Sequence, residues 1–148
     1  MNPEFEQCLK KNKIREFPRG KALLTKTLGT AQRDLERAEK TFNDKDYKWA
    51  TIQSYYSMFH SARALLFAKN YREHSHHCLI VAMRALYVET RLLSGSLIEA
   101  LGKGKRLRED ADYYDRWSEE GAIFALKAAG DFLKKARELT KDLHKSPR

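Results

Sequence analysis

The twelve residues from Tyr55 to Leu66, Tyr-Tyr-Ser-Met-Phe-His-Ser-Ala-Arg-Ala-Leu-Leu, constrain the fold more than any other stretch. Wound as a helix, they are apolar nearly all round, yet they carry two tyrosine hydroxyls, a histidine and an arginine. A helix apolar on every side belongs in the middle of a bundle or in a subunit interface. Polar groups buried there need partners, which neighbouring helices supply. The segment therefore points to an all-helical domain that also pairs with another subunit.

The chain has 148 residues, long enough for one domain with a real core and too short for two. It contains no apolar run of membrane-spanning length and no charged-then-apolar leader, so a cytoplasmic, non-membrane protein is expected. Cys8 and Cys78 make no disulfide framework and match no zinc spacing, and two reduced thiols are expected. The formal charge is +9 and the pI about 9.6, a balance that favours polyanions, nucleic acid first. The cations cluster at Lys10, Lys11, Lys13, Arg15, Arg19 and Lys21, then at Lys103, Lys105, Arg106 and Arg108, then at Lys134, Lys135, Arg137 and Lys141. Each cluster can also be an ordinary solvated face. No RGG run, zinc finger or aromatic RNP motif accompanies them, so binding would be to backbone or shape rather than to base sequence.

Residues 1–20 read as a basic N-terminal arm, with a short helix around Phe5 to Leu9. From Lys21 the period becomes helical: Leu24, Leu28, Ala31, Leu35, Ala38 and Phe42 recur at spacings of four and three. A second helix runs from about Asp46 to Lys69, and Asn70 offers a C-terminal stop. A third begins near Ser75 and presents Leu79, Met83, Leu86 and Tyr87; Ser94-Gly95 ends it. Ser96 to Leu101 is helical again. Gly102 and Gly104 then loosen the chain before a short helix through Arg108 to Tyr114. Ser118 caps the last helix, whose apolar face is Ala122, Ala125, Ala129, Phe132, Ala136 and Leu139. No strand alternation stands out. The expected division is an arm over 1–20, a bundle over 21–142 and a flexible tail over 143–148.

The segment from Lys48 to Leu66 resembles the central helix of HEPN domains, in their small stand-alone prokaryotic branch. Tyr71-Arg72-Glu73-His74-Ser75-His76 and Arg108-Glu109-Asp110-Ala111-Asp112-Tyr113-Tyr114 are similar to the branch's two other signature stretches, in the same order and at fitting separation. The resemblance implies an all-α fold, an up-and-down bundle of four to five main helices, usually a homodimer. It implies a toxin-like role beside a minimal nucleotidyltransferase acting as antitoxin, with RNA as target. It also implies two modes of action. Many members are metal-independent endoribonucleases with an Arg-x(4–6)-His motif; others lack the motif and serve as noncatalytic modules that bind nucleotide, RNA or protein.

A metal-free ribonuclease needs a base for the ribose 2′-hydroxyl and a cation for the phosphorane charge. Histidine and arginine suit these roles. Arg72 and His77 match the motif's spacing literally, and His76 lies one residue nearer. In catalytic members, however, the motif lies later in the chain, where Arg108 is followed by Asp112 and Tyr113 and by no histidine. The catalytic candidates are therefore Arg72, His76, His77, Arg108 and Asp112. The binding candidates are His60, Arg63, Tyr113, Tyr55 and Tyr56. All but Tyr55, Tyr56 and His77 are expected to share one cleft, with two arginines facing one carboxylate. Arg108 and Asp112, four apart on a helix, can equally form a simple ion pair. His74, His76, His77 and Cys78 converge poorly as metal ligands, and no metal or cofactor is expected.

Overall fold

The computed structural model describes residues 2–144, the last of them by its backbone alone. In chain order the elements are α1 (Pro3–Lys10), β1 (Ile14–Glu16), α2 (Gly20–Asn43), α3 (Tyr47–Phe67), β2 (Tyr71–Glu73), α4 (His76–Met83), a π-helical turn (Arg84–Val88), α5 (Gly95–Tyr113) and α6 (Glu119–His144). The four long helices form the bundle, and α3 is its axis, packed against α2, α5 and α6. This is the all-α bundle expected. Of the expected tail, residues 145–148 lie outside the described residues.

The burial of α3 follows from its composition. Ala50, Ser54, Ser57, Ser61, Ala62 and Ala64 are small and fully or almost fully buried, so neighbouring backbones approach closely. The Ser57 hydroxyl donates to the Ala31 carbonyl of α2 at 2.8 Å. The heptad-like face of α2 and the alanine face of α6 meet this axis, burying Leu24, Leu28, Ala31, Ala125, Ala129, Phe132 and Ala136. Asp46 caps the start of α3 by accepting from the Trp49 amide. At the other end Asn70 turns the chain with φ of 60°, a left-handed conformation that asparagine tolerates.

Several local expectations are corrected. Gly102 and Gly104 do not interrupt the helix; both lie inside a continuous α5. A Cβ on Gly104 would stand 2.6 Å from the Met58 Cε of α3, so this glycine buys close approach between the two helices. The third helix widens into a π turn after Met83, and the Tyr87 hydroxyl donates to the Leu65 carbonyl at 2.6 Å. That bond satisfies one of the carbonyls left open in the last turns of α3. Two strands are present, β1 and β2, paired antiparallel with Ile14 opposite Glu73, Arg15 opposite Arg72 and Glu16 opposite Tyr71. At three residues each they are too short for alternation to be recognisable in sequence.

The cysteines are also corrected: Cys8 and Cys78 form a disulfide, with Cα atoms 5.8 Å apart. The reason is the path of the first twenty residues. Helix α1 folds back onto α4, burying Phe5 and Cys8. Strand β1 then joins β2, and Phe17 packs on Phe67 of α3 with centroids 5.3 Å apart. Gly20 starts α2 against the same residue, where a Cβ would fall on the Phe67 backbone, inside van der Waals contact with its carbonyl oxygen. Backbone cannot yield as a side chain can. Gly20→Ala is expected to cost about 1–3 kcal/mol by overpacking, whereas Gly130→Ala, with nothing near its Cβ, should gain roughly 0.5–1 kcal/mol. Urea midpoints of the two variants check this pair of opposite signs.

Candidate functional site

The face of α5 turned toward α3 carries Leu101, Gly104, Arg108 and Ala111, at spacings of three and four. The close approach at Gly104 lays Arg108, one turn on, across the aromatic face of α3. Its guanidinium lies 5.6 Å from the ring centroids of both Tyr55 and Tyr56, and 5.3 Å from that of Tyr113. Nη1 donates to the Tyr56 hydroxyl at 3.3 Å and stands 4.0 Å from the Asp112 carboxylate. The Arg108 side chain is 13 % exposed, and its Nε is buried without a protein partner. Tyr56 and Tyr113 are exposed, so the group opens to solvent on their side.

His76, the first residue of α4, joins this group. Its ring centroid lies 6.1 Å from that of Tyr55, and its Nε2 is buried without a protein partner. Burial, reinforced by the charge on Lys105 and opposed by Glu109, lowers its pKa to about 4. The imidazole is therefore neutral at pH 7. Burial likewise raises Tyr55 to about 12, so its phenol keeps its proton. Lys105 bonds Glu109 at 2.8 Å and holds that carboxyl below the usual range. The ensemble combines a half-buried cation, a neutral imidazole with a free nitrogen, and two phenols at a solvent-facing edge. Such a set can hold an anion at Arg108, beside a buried imidazole that stays neutral.

The remaining candidates do not share that cleft. His60 places Nδ1 3.0 Å from Asp34 of α2. Arg63 forks onto the buried carboxylate of Glu73 through Nε and Nη2, with its guanidinium 4.6 Å from the Phe59 ring centroid. Arg72 lies over Phe17 at 5.4 Å and has no carboxylate within ion-pair distance among the described residues. These three line a separate cavity of about 250 Å3. His77 lines a groove beside the disulfide with Lys11 and Lys13. The expected single cleft is thus two sites, with Arg108 and His76 at one and His60, Arg63 and Arg72 at the other. The causes are local geometry. In a strand, Arg72 and Glu73 point to opposite faces. Successive helical residues such as His76 and His77 diverge by roughly 100°.

Residues absent from the sequence-based set hold the others in place. Glu73 and Asp34 fix Arg63 and His60, and nothing in their spacing reveals it, because each pair joins different elements. Lys105 and Glu109, four apart, were legible as a helical ion pair. Their position beside His76 was not. Among the described residues no group of three His, Cys, Asp or Glu side chains is arranged to hold a metal ion. No helix there is long and apolar enough to cross a membrane.

Comparison with known proteins accords with this architecture. Over 101 residues the chain is 32% identical to a Methanocaldococcus jannaschii protein named "Putative toxin MJ0142", covering 68% of each. Over 114 residues it is 30% identical to a second protein of that organism, named "Putative toxin MJ0605", covering 76% of this chain and 85% of the relative. The model of the HEPN domain matches residues 25–144, from the second turn of α2 to the end of α6. With that match over most of its length, the chain belongs to the HEPN domain family.

Proposed function

We propose that this protein is a toxin-like HEPN protein that acts on RNA, paired with a minimal nucleotidyltransferase that restrains it. The observation that carries the reading is the juxtaposition of Arg108 and neutral His76 on the Tyr55 ring. In a metal-independent cleavage, His76 would take the proton of a ribose 2′-hydroxyl as that oxygen attacks the adjacent phosphorus; the P–O5′ bond breaks, leaving a 2′,3′-cyclic phosphate, and the departing 5′-oxygen takes a proton from solvent. Arg108 would neutralise the charge that develops on the phosphate oxygens. Tyr56 and Tyr113 offer exposed rings on which bases can stack. The names of the two archaeal relatives support the toxin-like role. The basic composition supports a polyanionic target.

A homodimer fits the same reading. Trp49, Tyr114 and Trp117 are all at least 46% exposed at one end of the bundle, more aromatic surface than a solitary small domain usually leaves open. Light scattering at micromolar concentration should return twice the chain mass.

A second reading, a noncatalytic module that binds RNA, nucleotide or protein, is favoured by the Arg108–Asp112 pair and the absence of a histidine after Arg108 in α5. Cleavage of single-stranded RNA in EDTA separates the two. The wild type should cleave, and Arg108→Gln and His76→Gln should each lower the rate at least tenfold, about 1.4 kcal/mol, with Arg108→Gln melting within a few degrees of wild type. A wild type that binds RNA but never cuts it would overturn the first reading in favour of the second.

A further inference from the structure

We infer that the cavity between α2, α3 and β2 is a phosphate-binding site in which Arg72 and Lys26 contact the anion, beside the neutralised Arg63–Glu73 pair. The inference rests on the RNA reading above only for the source of the phosphate.

The lining is one-sided in charge. Its ionic groups are Lys26, Arg63 and Arg72, with His60 beside them, and no carboxylate lines it. Arg63 and His60 are already engaged by Glu73 and Asp34. Arg72 and Lys26 have no carboxylate within ion-pair distance among the described residues. Leu23 and Phe67 supply an apolar wall. The Thr27 and Thr30 hydroxyls donate to their own helix, to Leu23 at 2.8 Å and Lys26 at 3.2 Å. Their oxygens therefore add no donor, and recognition falls to the cations.

The strand register gives an independent indication. Arg15 of β1 stands directly opposite Arg72 of β2. Like charges opposed across an antiparallel pair repel and destabilise it. An anion between or beside them converts that repulsion into a charge-assisted, multidentate contact. The pair faces away from the buried Ile14–Glu73 pair; Arg15 is exposed, and Arg72 lines the cavity.

The distribution of charge along the chain agrees. Residues 10–26 carry seven cations against one carboxylate, Glu16. Residues 109–120, at the aromatic edge beyond Arg108, carry six carboxylates against Arg116. A polyanion approaching this molecule is drawn to the α2–β1 side, where the cavity opens. Along α3, His60 and Arg63 follow Tyr56 by four and seven residues, roughly 6–10 Å at the helical rise. The cavity is thus a neighbouring subsite of the Arg108–His76 group rather than part of it.

The test uses the full chain, inorganic phosphate followed by NMR chemical-shift titration, and a fluorescent single-stranded RNA followed by anisotropy. Arg72→Gln and Lys26→Gln are compared with Lys134→Gln, an exposed α6 lysine that removes the same charge elsewhere. Phosphate should shift the amides around Arg72 and Thr27, and affinity should fall about tenfold or more in the first two variants while Lys134→Gln stays near wild type. With RNA, Arg72→Gln should reduce the salt slope of binding by about 1. Lys26 is exposed on α2 and its variant has no packing to lose, so it carries the test if Arg72→Gln folds poorly. Phosphate binding without RNA binding supports the cavity and defeats the RNA reading. RNA binding with all three variants alike in both titrations overturns the cavity and leaves the RNA reading standing. No phosphate binding by the wild type overturns the cavity outright.

Discussion

Reducing the Cys8–Cys78 bond is expected to lower the stability of this protein by about 4 kcal/mol. The bond joins positions 70 apart, and closing a loop of that length removes about 4 kcal/mol of chain entropy from the unfolded state. The folded state has little to replace it. Helix α1 is eight residues long and buries only Phe5 and Cys8, and isolated helices of that length are marginal in water. Beyond the bond, the first sixteen residues are held by the short β1–β2 ladder and the Phe5–Tyr71 ring contact at 5.4 Å. Urea denaturation with and without a phosphine reductant measures the difference. Cys8→Ser/Cys78→Ser should match the reduced wild type and show no response to reductant. Identical midpoints for oxidised and reduced wild type would show that the bond adds nothing to stability. Limited proteolysis should then locate the loss, with cuts after Lys10, Lys11 or Lys13 appearing first on reduction.

Acidification should expose the cost of burying His76. Burial lowers its folded pKa to about 4 from the ordinary imidazole value of 6.5. Above pH 6.5 the imidazole is neutral in both states and contributes its full native packing. Between 6.5 and 4 the unfolded chain takes up a proton that the folded chain refuses, so stability falls as pH falls through that window. At about 1.4 kcal/mol per pKa unit, the loss is on the order of 3 kcal/mol. Below pH 4 both states are protonated and this contribution levels off. His76→Gln cannot titrate, so its stability should decline less between pH 7 and pH 4 by that amount, while losses from carboxylates are common to both proteins. Parallel pH dependences in wild type and variant would mean that His76 is not desolvated. The same burial bears on chemistry: at pH 7 the ring is uncharged and a weaker base than an exposed imidazole, and Arg108 is left as the cation of the pair.

Much of the architecture was legible in local patterning. The alternating spacing of Leu24, Leu28, Ala31 and Ala38 marks the buried face of α2, and Ala122, Ala125, Ala129, Phe132 and Ala136 mark that of α6. The all-round apolar character of Tyr55 to Leu66 identifies the axial helix, and the serine caps at Ser75 and Ser118 bond the amides of Cys78 and Gly121. Glycine was the misleading signal. Gly102 and Gly104 read as a break because glycine weakens an isolated helix. In α5 the helix persists because tertiary packing outweighs that local cost, and the missing side chain at Gly104 is what the packing against Met58 requires.

The chemistry-bearing residues divide in the same way. Their types and rough neighbourhoods were in the sequence: Arg108 with Asp112 one helical turn away, His76 at a helix start, His60 and Arg63 on the central helix. Which of them meet was decided by contacts between residues far apart in the chain. Glu73 claims Arg63, Asp34 claims His60, Phe17 supports Arg72, and Tyr55 gathers Arg108 and His76. The pairing of Cys8 with Cys78 and of β1 with β2 is of the same kind. Periodicity, capping and composition are properties of neighbouring residues, so the sequence by itself determined the helices, their buried faces and the excess of positive charge. The partner of each buried charge, and the division of one expected cleft into an Arg108–His76 group and a cationic cavity, depend on how helices and strands distant in sequence are brought together, and only the tertiary structure decided them.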